Sequence, residues 1–279
     1  MNTKTQNIHQ MFVQPSLDKS ISKEQNLEAE KNVSLENFSN LDEFMYKPNK
    51  YVPTDKMSDM ICGDYALLQV MSRFGLSLGF GEATIEEVCN ANNVDCNTFL
   101  AVANFMLQKD EYVFDENEQI SIPSLISYLK QSHHFFLEFQ LPNIRKKLLK
   151  YTNKSENKDI SELILKFFDN YVEEVFSHMG FEDKEIFTYV EDLLKGKKHP
   201  EYNITSFANG HERDHIDMKL TELKNIIIKY LPTNGETYLS NALLYDLFSC
   251  IEDIDAHGHI EDFIFVPAVR QLENEMNQE

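Results

Sequence analysis

The sequence is short of three things: cysteine, positive charge and long apolar runs. Its four cysteines, Cys62, Cys89, Cys96 and Cys250, form no Cys-x-x-Cys pair and no disulfide framework, which suits a reducing compartment. Lysine and arginine together number 26 against 46 aspartates and glutamates, for a formal net charge of −20. A chain so acidic argues against binding to nucleic acid or anionic lipid, both of which depend on basic patches. No segment approaches the roughly 18 apolar residues of a membrane span. Met1 to Asp18 is polar and lacks the apolar region of a signal peptide. Strand signals are weak throughout. The expectation is a soluble, cytoplasmic, all-α protein with neither nucleic acid nor membrane as a partner.

Histidine is where the sequence becomes specific. His178-Met-Gly-Phe-Glu182 and His257-Gly-His-Ile-Glu261 each place a histidine four residues before a glutamate. On a helix, residues i and i+4 share a face, so each segment aims an imidazole and a carboxylate at one point. Both pairs lie on apolar stripes: Tyr171, Val175, Ile186 and Tyr189 flank the first, and Leu247, Cys250, Ile254, Ile264 and Ala268 the second. One such pair is ordinarily a solvated feature of a surface helix. Two facing inward imply metal, because buried ionisable groups are uncommon unless paired or metal-bound. His133-His134 lie in another apolar segment, Ile126 to Leu149, and His211 and His215 in a fourth that runs to Leu231. Seven of the nine histidines thus fall in four helix-like segments about 40 residues apart, which suits an antiparallel four-helix bundle with a metal site in its core.

At 279 residues the chain exceeds the usual single-domain size. Residues 1–49 are rich in Asn, Gln, Ser, Glu and Lys and cannot bury enough apolar surface to offset their ordering entropy, so a disordered tail is expected. Residues 50–107 read as a small helical domain. In it, a helix over Ser58 to Phe74 precedes a turn through Gly75, Gly79 and Gly81. Thr84 caps a helix over Ile85 to Asn90, and Asn97 or Thr98 caps another that ends near Met106. A polar, acidic linker then leads into the bundle, 120–276, with helices read at 122–150, 159–195, 204–231 and 237–275. Asn153 to Asp159, the stretch Gly196 to Pro200, and the turn Leu231 to Gly235 separate them.

Several stretches together resemble the repair-of-iron-centres proteins, hemerythrin-like di-iron proteins of bacteria. They are Leu125 to Pro142, His178-x3-Glu182 followed by Ile186-Phe187, Thr221 to Pro232, and His257-x3-Glu261 followed by Phe265-Val-Pro267. The region from about Asp55 to Val102 looks like that family's N-terminal domain, so the resemblance covers most of the chain after residue 50. It implies a hemerythrin-like bundle holding two non-haem iron ions, oxo- and carboxylate-bridged. The activity it implies is repair of iron–sulfur clusters damaged by nitric oxide or oxidative stress, by donation of iron. The alternatives are reversible binding or sensing of O2 or NO, and reduction of NO or peroxide at the same irons. Damaged iron–sulfur proteins and the small ligands NO and O2 are the partners expected, with a homodimer as a candidate assembly.

The resemblance favours His134 over His133 as the ligand from the first helix, because His134 sits six residues before Gln140-Leu-Pro142; apolar periodicity does not separate the two. His178 and Glu182 come from the second helix, and His257 and Glu261 from the fourth. His259 is rotated away from His257, while His199, in a loop, and His9, in the tail, read as solvated. On the third helix the stripe Ile216, Leu220, Leu223, Ile227 extrapolates back to Arg213, with His211 and His215 on either side and neither centred. A helix start shifted by a bulge or short insertion would bring one or both inward, so both are assigned to metal.

His211-Glu-Arg-Asp-His215 also matches H-E-x-x-H, the zinc protease signature. Its charged middle positions, the preceding Gly210 and the two unexplained His-x3-Glu pairs weigh against that reading. The family's N-terminal module commonly carries a Cys-Cys-Gly-Gly element where this chain has Leu78-Gly-Phe-Gly81. The thiols are absent, which puts any cluster-transfer role of those cysteines in doubt, and Cys62, Cys89 and Cys96 read as small buried apolar residues.

Overall fold

The helices begin where side chains can cap them. The computed structural model describes residues 50–108, 112, 114, 119–154, 157–206, 213–231 and 237–278, without the side chains of 213–215 and 217. The tail expected to be disordered lies outside these residues. The helix read over 58–74 is two, α1 (Met57–Gly63) and α2 (Leu67–Arg73), because the backbone at Asp64 is extended. A reciprocal capping box between Thr84 and Glu87 starts α3 (Ile85–Ala91). Asp95, rather than Asn97 or Thr98, caps α4 (Cys96–Gln108): its Oδ1 accepts a hydrogen bond from the Thr98 amide at 2.8 Å.

Three of the four bundle helices share one irregularity. Helix α5 runs Ile122–His134, widens into a π-helical segment, Phe135–Gln140, and continues Leu141–Asn153. Helix α6 runs Lys158–Phe181, Glu182–Ile186 as π-helix, then Phe187–Leu194. Helix α7 is Arg213–Tyr230. Helix α8 runs Thr237–Ile260, Glu261–Phe265 as π-helix, then Val266–Gln278. After each widened segment an amide reaches five residues back: Leu141 to the Phe136 carbonyl, Phe187 to Glu182, Val266 to Glu261. Pro142 and Pro267 follow two of these segments. Lacking an N–H, a proline cannot donate to the carbonyl four residues back, so the α-helical ladder is already broken where the turn widens.

Each bundle helix packs on the next and α8 returns to α5. The short connections from α5 to α6 and from α7 to α8 make these neighbours antiparallel. The ends expected for α5, α6 and α8 match within three residues; α7, read from 204, is helical at 204–206 and again from Arg213, and the residues between lie outside the described ones. Among the described residues every regular element is helical, and no helix is long and apolar enough to cross a membrane.

Two hydrophobic clusters fill the interior, and the bundle helices pass from one to the other. Along α5, Leu125, Tyr128 and Leu129 lie in the first cluster and Phe136, Ile144 and Leu148 in the second. The order reverses on α6, with Phe168, Tyr171 and Val175 in the second before Ile186, Phe187 and Val190 in the first, and α8 behaves likewise. Helices α1–α4 join the first cluster through Met60, Val70, Ile85 and Phe99, so the N-terminal helices and one end of the bundle share a core. The same contact carries the buried Arg73 of α2 to Asp253 of α8, at 2.6 Å, with its guanidinium over the rings of Tyr128, Phe135 and Phe136. His133, Glu182, His257 and Glu261 stand at the level where one cluster gives way to the other.

Candidate metal centre

The junction between the clusters is polar because three helices each turn a site residue inward just where they widen. His133 is the last residue but one of the α-helical part of α5, one turn after the buried Leu129. Glu182 and Glu261 open the π-helical segments of α6 and α8, and His257 lies one turn before Glu261. All four are at most 4% exposed. One donor atom from each lies within 4.8 Å of the others. His133 Nε2 is 3.1 Å from His257 Nε2 and 3.4 Å from Glu182 Oε2, while His257 Nε2 is 3.5 Å from Glu261 Oε1. The half-buried His178 brings its Nε2 to 3.1 Å from the other Glu182 oxygen, Oε1. Phe187 stacks on the His133 ring and Phe136 meets His257 edge-on, which keeps the surroundings apolar.

Charge is unevenly shared in the metal-free site. Burial by itself would push the His133 imidazole down, but the Asp183 and Glu182 carboxylates facing its two ring nitrogens outweigh it and raise the value to about 9. Burial would likewise push the Glu182 carboxyl up, and the imidazoles of His133 and His178 hold it below the usual carboxylate range instead. Burial, followed by the charge on His133, pushes His257 well below the ordinary histidine value. The two rings meet through their Nε2 atoms, 3.1 Å apart.

The residues fit a cation. Both Glu182 oxygens and His257 Nδ1 are buried without a hydrogen bond of good geometry, an arrangement that is costly unless something else satisfies them. Two imidazole nitrogens roughly 3 Å apart subtend about a right angle at an ion bonded to each at roughly 2.1 Å, and the His133–His257 separation of 3.1 Å matches. Imidazole and carboxylate donors without thiolate suit iron or manganese as well as zinc.

Of the histidine pair on α5, the structure brings His133 into the cluster, whereas His134, the one the resemblance favours, is exposed. Counting back from Gln140-Leu-Pro142 crosses the widened segment Phe135–Gln140, where bonds run five residues rather than four, so spacing to that motif does not report the face upstream. The signal that favours His133 is its i+4 relation to the buried Leu129. Of the other assigned residues, His178, Glu182, His257 and Glu261 are brought together. His211 lies outside the described residues, as does the side chain of His215. His259 is half-exposed beside Asp255. His199, expected to be solvated, is tucked against Asp192 at 3.3 Å and the ring of Tyr189. Of the cysteines read as buried, Cys89 is buried and Cys62 is exposed.

Residues 124–269 match the family model of the hemerythrin HHE cation-binding domain, a stretch that holds every assigned ligand. Neither the curated proteins nor the solved structures contain a match to the chain. The family model covers more than half of the sequence and falls on the helices that carry the buried His/Glu cluster. The chain belongs to the hemerythrin HHE cation-binding family.

Proposed function

We propose that the cluster holds two iron ions and that the chain repairs iron–sulfur clusters damaged by nitric oxide or oxidants, donating iron to them. The observation that carries the dinuclear reading is the placement of Glu182. Its Oε2 faces His133 and its Oε1 faces His178, so each oxygen of one carboxylate meets a different imidazole. A carboxylate placed this way could serve two ions, and Glu261, beside His257, would be a further ligand. Bound iron would supply a coordination position open to a small ligand and a metal that can be released. The chain's own residues do the rest. His133 and His257 present nitrogens to one point, Phe136 and Phe187 exclude water from it, and His178, half-buried, marks the side nearest solvent. The repair role is supported by the resemblance of the bundle and N-terminal stretches to the repair-of-iron-centres proteins.

One observation favours a second reading. Four donors at most 4% exposed admit a diatomic ligand more readily than they meet a protein acceptor, which suits reversible binding of O2 or NO, or its reduction. The deciding experiment is spectroscopy of anaerobically purified protein titrated with O2 and NO. Loss of iron to an apo-cluster acceptor supports repair. A reversible adduct without iron loss supports binding or sensing, and catalytic consumption of NO or peroxide supports a reductase. One tightly held zinc per chain, with no iron, would overturn the di-iron reading and favour H-E-x-x-H chemistry instead.

A further inference from the structure

We infer that Asp183 is a positioning residue for the centre: by accepting the Nδ1–H of His133 it fixes the imidazole tautomer that leaves Nε2 free to meet a cation. The inference rests on the metal-binding reading above. His133 Nδ1 lies 3.0 Å from Asp183 Oδ1, while its Nε2 faces His257 at 3.1 Å and Glu182 at 3.4 Å. Adjacent residues on a helix point roughly 100° apart, yet Glu182 and Asp183, the first two residues of the widened segment of α6, reach the two nitrogens of one ring. The imidazole lies in the angle between them, and Phe187, from the same helix, stacks on its face with centroids 5.7 Å apart. Three side chains of α6 thus set the position, rotation and tautomer of a histidine supplied by α5.

The charge of Asp183 matters as well as its position. Its side chain is 40% exposed, whereas the His133 ring it holds is 2% exposed. A carboxylate on the far nitrogen orients a ligating imidazole and raises its basicity, and loss of such a partner typically weakens metal binding by about 10–100-fold. His257 shows the contrast: its Nδ1 is buried with no hydrogen-bond partner. The two rings that face each other are therefore unequal, with His133 the firmly oriented donor.

The test compares wild type with Asp183→Ala and Asp183→Asn by two readouts. The first is Fe(II) affinity from anaerobic competition with a chelator. Affinity should fall about 10–100-fold in Asp183→Ala, and Asp183→Asn, which keeps an oxygen acceptor without the charge, should recover part of it. The second is the imidazole 15N signature of His133 in the metal-free protein at alkaline pH, where the Nδ1–H form should dominate in wild type and give way to mixed tautomers in Asp183→Ala. Wild-type protein that takes up no iron yet keeps the Nδ1–H tautomer would overturn the metal reading while leaving the positioning contact intact. Wild-type protein that binds iron, with Asp183→Ala binding equally tightly, would overturn the role of Asp183. A lower melting temperature in Asp183→Ala with unchanged affinity and tautomer would do the same, by reducing the contact to a structural one.

Discussion

His133 and His134 are neighbours in the chain with opposite environments, and their alanine variants test the site most directly. His133 is 2% exposed among Glu182, Asp183 and His257, whereas His134 faces solvent. In metal-free protein His133 holds a proton up to about 9, against 6.5 for an ordinary histidine. A proton bound more tightly in the folded than in the unfolded chain stabilises the fold in full below the unfolded value and ceases to do so as pH climbs through the folded one. The difference corresponds to at most about 3 kcal/mol, present below about pH 6.5 and gone above about pH 9. The cavity left by His133→Ala adds a cost that does not vary with pH, so the signature is a slope. Urea unfolding of chelator-treated protein should show wild type losing about 3 kcal/mol relative to His133→Ala across that window. His134→Ala should follow wild type within about 0.5 kcal/mol at every pH. Iron gives the second arm, because proton and cation compete for the same Nε2. Wild-type affinity should rise as pH increases toward 9. His133→Ala should bind less iron, and His134→Ala as much as wild type. Iron lost in His134→Ala and retained in His133→Ala would refute the placement and restore the register counted from Gln140-Leu-Pro142.

Two further outcomes follow from buried charge. Arg73→Ala should destabilise the protein by about 3–5 kcal/mol in chemical denaturation, because it strands Asp253 without its partner, 11% exposed and formerly 2.6 Å away. Arg73→Met with Asp253→Leu should cost less than Arg73→Ala alone, and a loss under about 1 kcal/mol in Arg73→Ala would show that the pair does not hold α2 to α8. Removing iron should lower the melting temperature by roughly 5–10 °C if the metal is present at about 100 times its Kd. The gap should narrow in Glu182→Gln with Glu261→Gln, since the wild-type apo core confines two carboxylates within 4.8 Å. Identical melting of iron-loaded and metal-free wild type, followed by scanning calorimetry, would sink the core metal site.

The bundle was legible in the sequence because periodicity and punctuation agree. The stripe through Leu247, Cys250, Ile254, His257 and Glu261 continues to Ile264 and Ala268, and every one of these residues is buried. The same stripe explains why His257 and not His259 faces the cluster. What the sequence does not display is the widening of three helices. Nothing in Phe-Phe-Leu-Glu-Phe-Gln distinguishes an i→i+5 turn from an α-helical one, although Pro142 and Pro267 mark where the regular ladder fails. Spacing counted across the widened segment therefore points to His134 while the structure turns His133 inward, whereas each His-x3-Glu pair lies just before or at the start of its widened segment and keeps its helical face. Arg73 and Asp183 were invisible for a different reason. A charged residue on a short helix and an acidic residue beside a ligand are commonplace, and their roles arise from contacts with Asp253, 180 positions away, and with His133, 50 positions away.

The family match begins at residue 124, yet the core it needs begins earlier. Among the described residues of α7, Ile216, Leu220, Leu223 and Ile227 pack only into the second hydrophobic cluster. The first is built from the opening turns of α5, the closing turns of α6 and α8, and helices α1–α4. The N-terminal helices therefore cover the side of the centre where α5, α6 and α8 would otherwise expose Leu125, Leu129, Phe187 and Phe265, all buried. Arg73 is anchored there, with Asp253 one turn before His257 on the same helix face. A bundle cut out at the boundary of the match would lose that cover and that anchor together. The cation-binding domain and the small helical region before it accordingly form one compact unit with a shared core, and part of the site's environment is set from outside the matched residues.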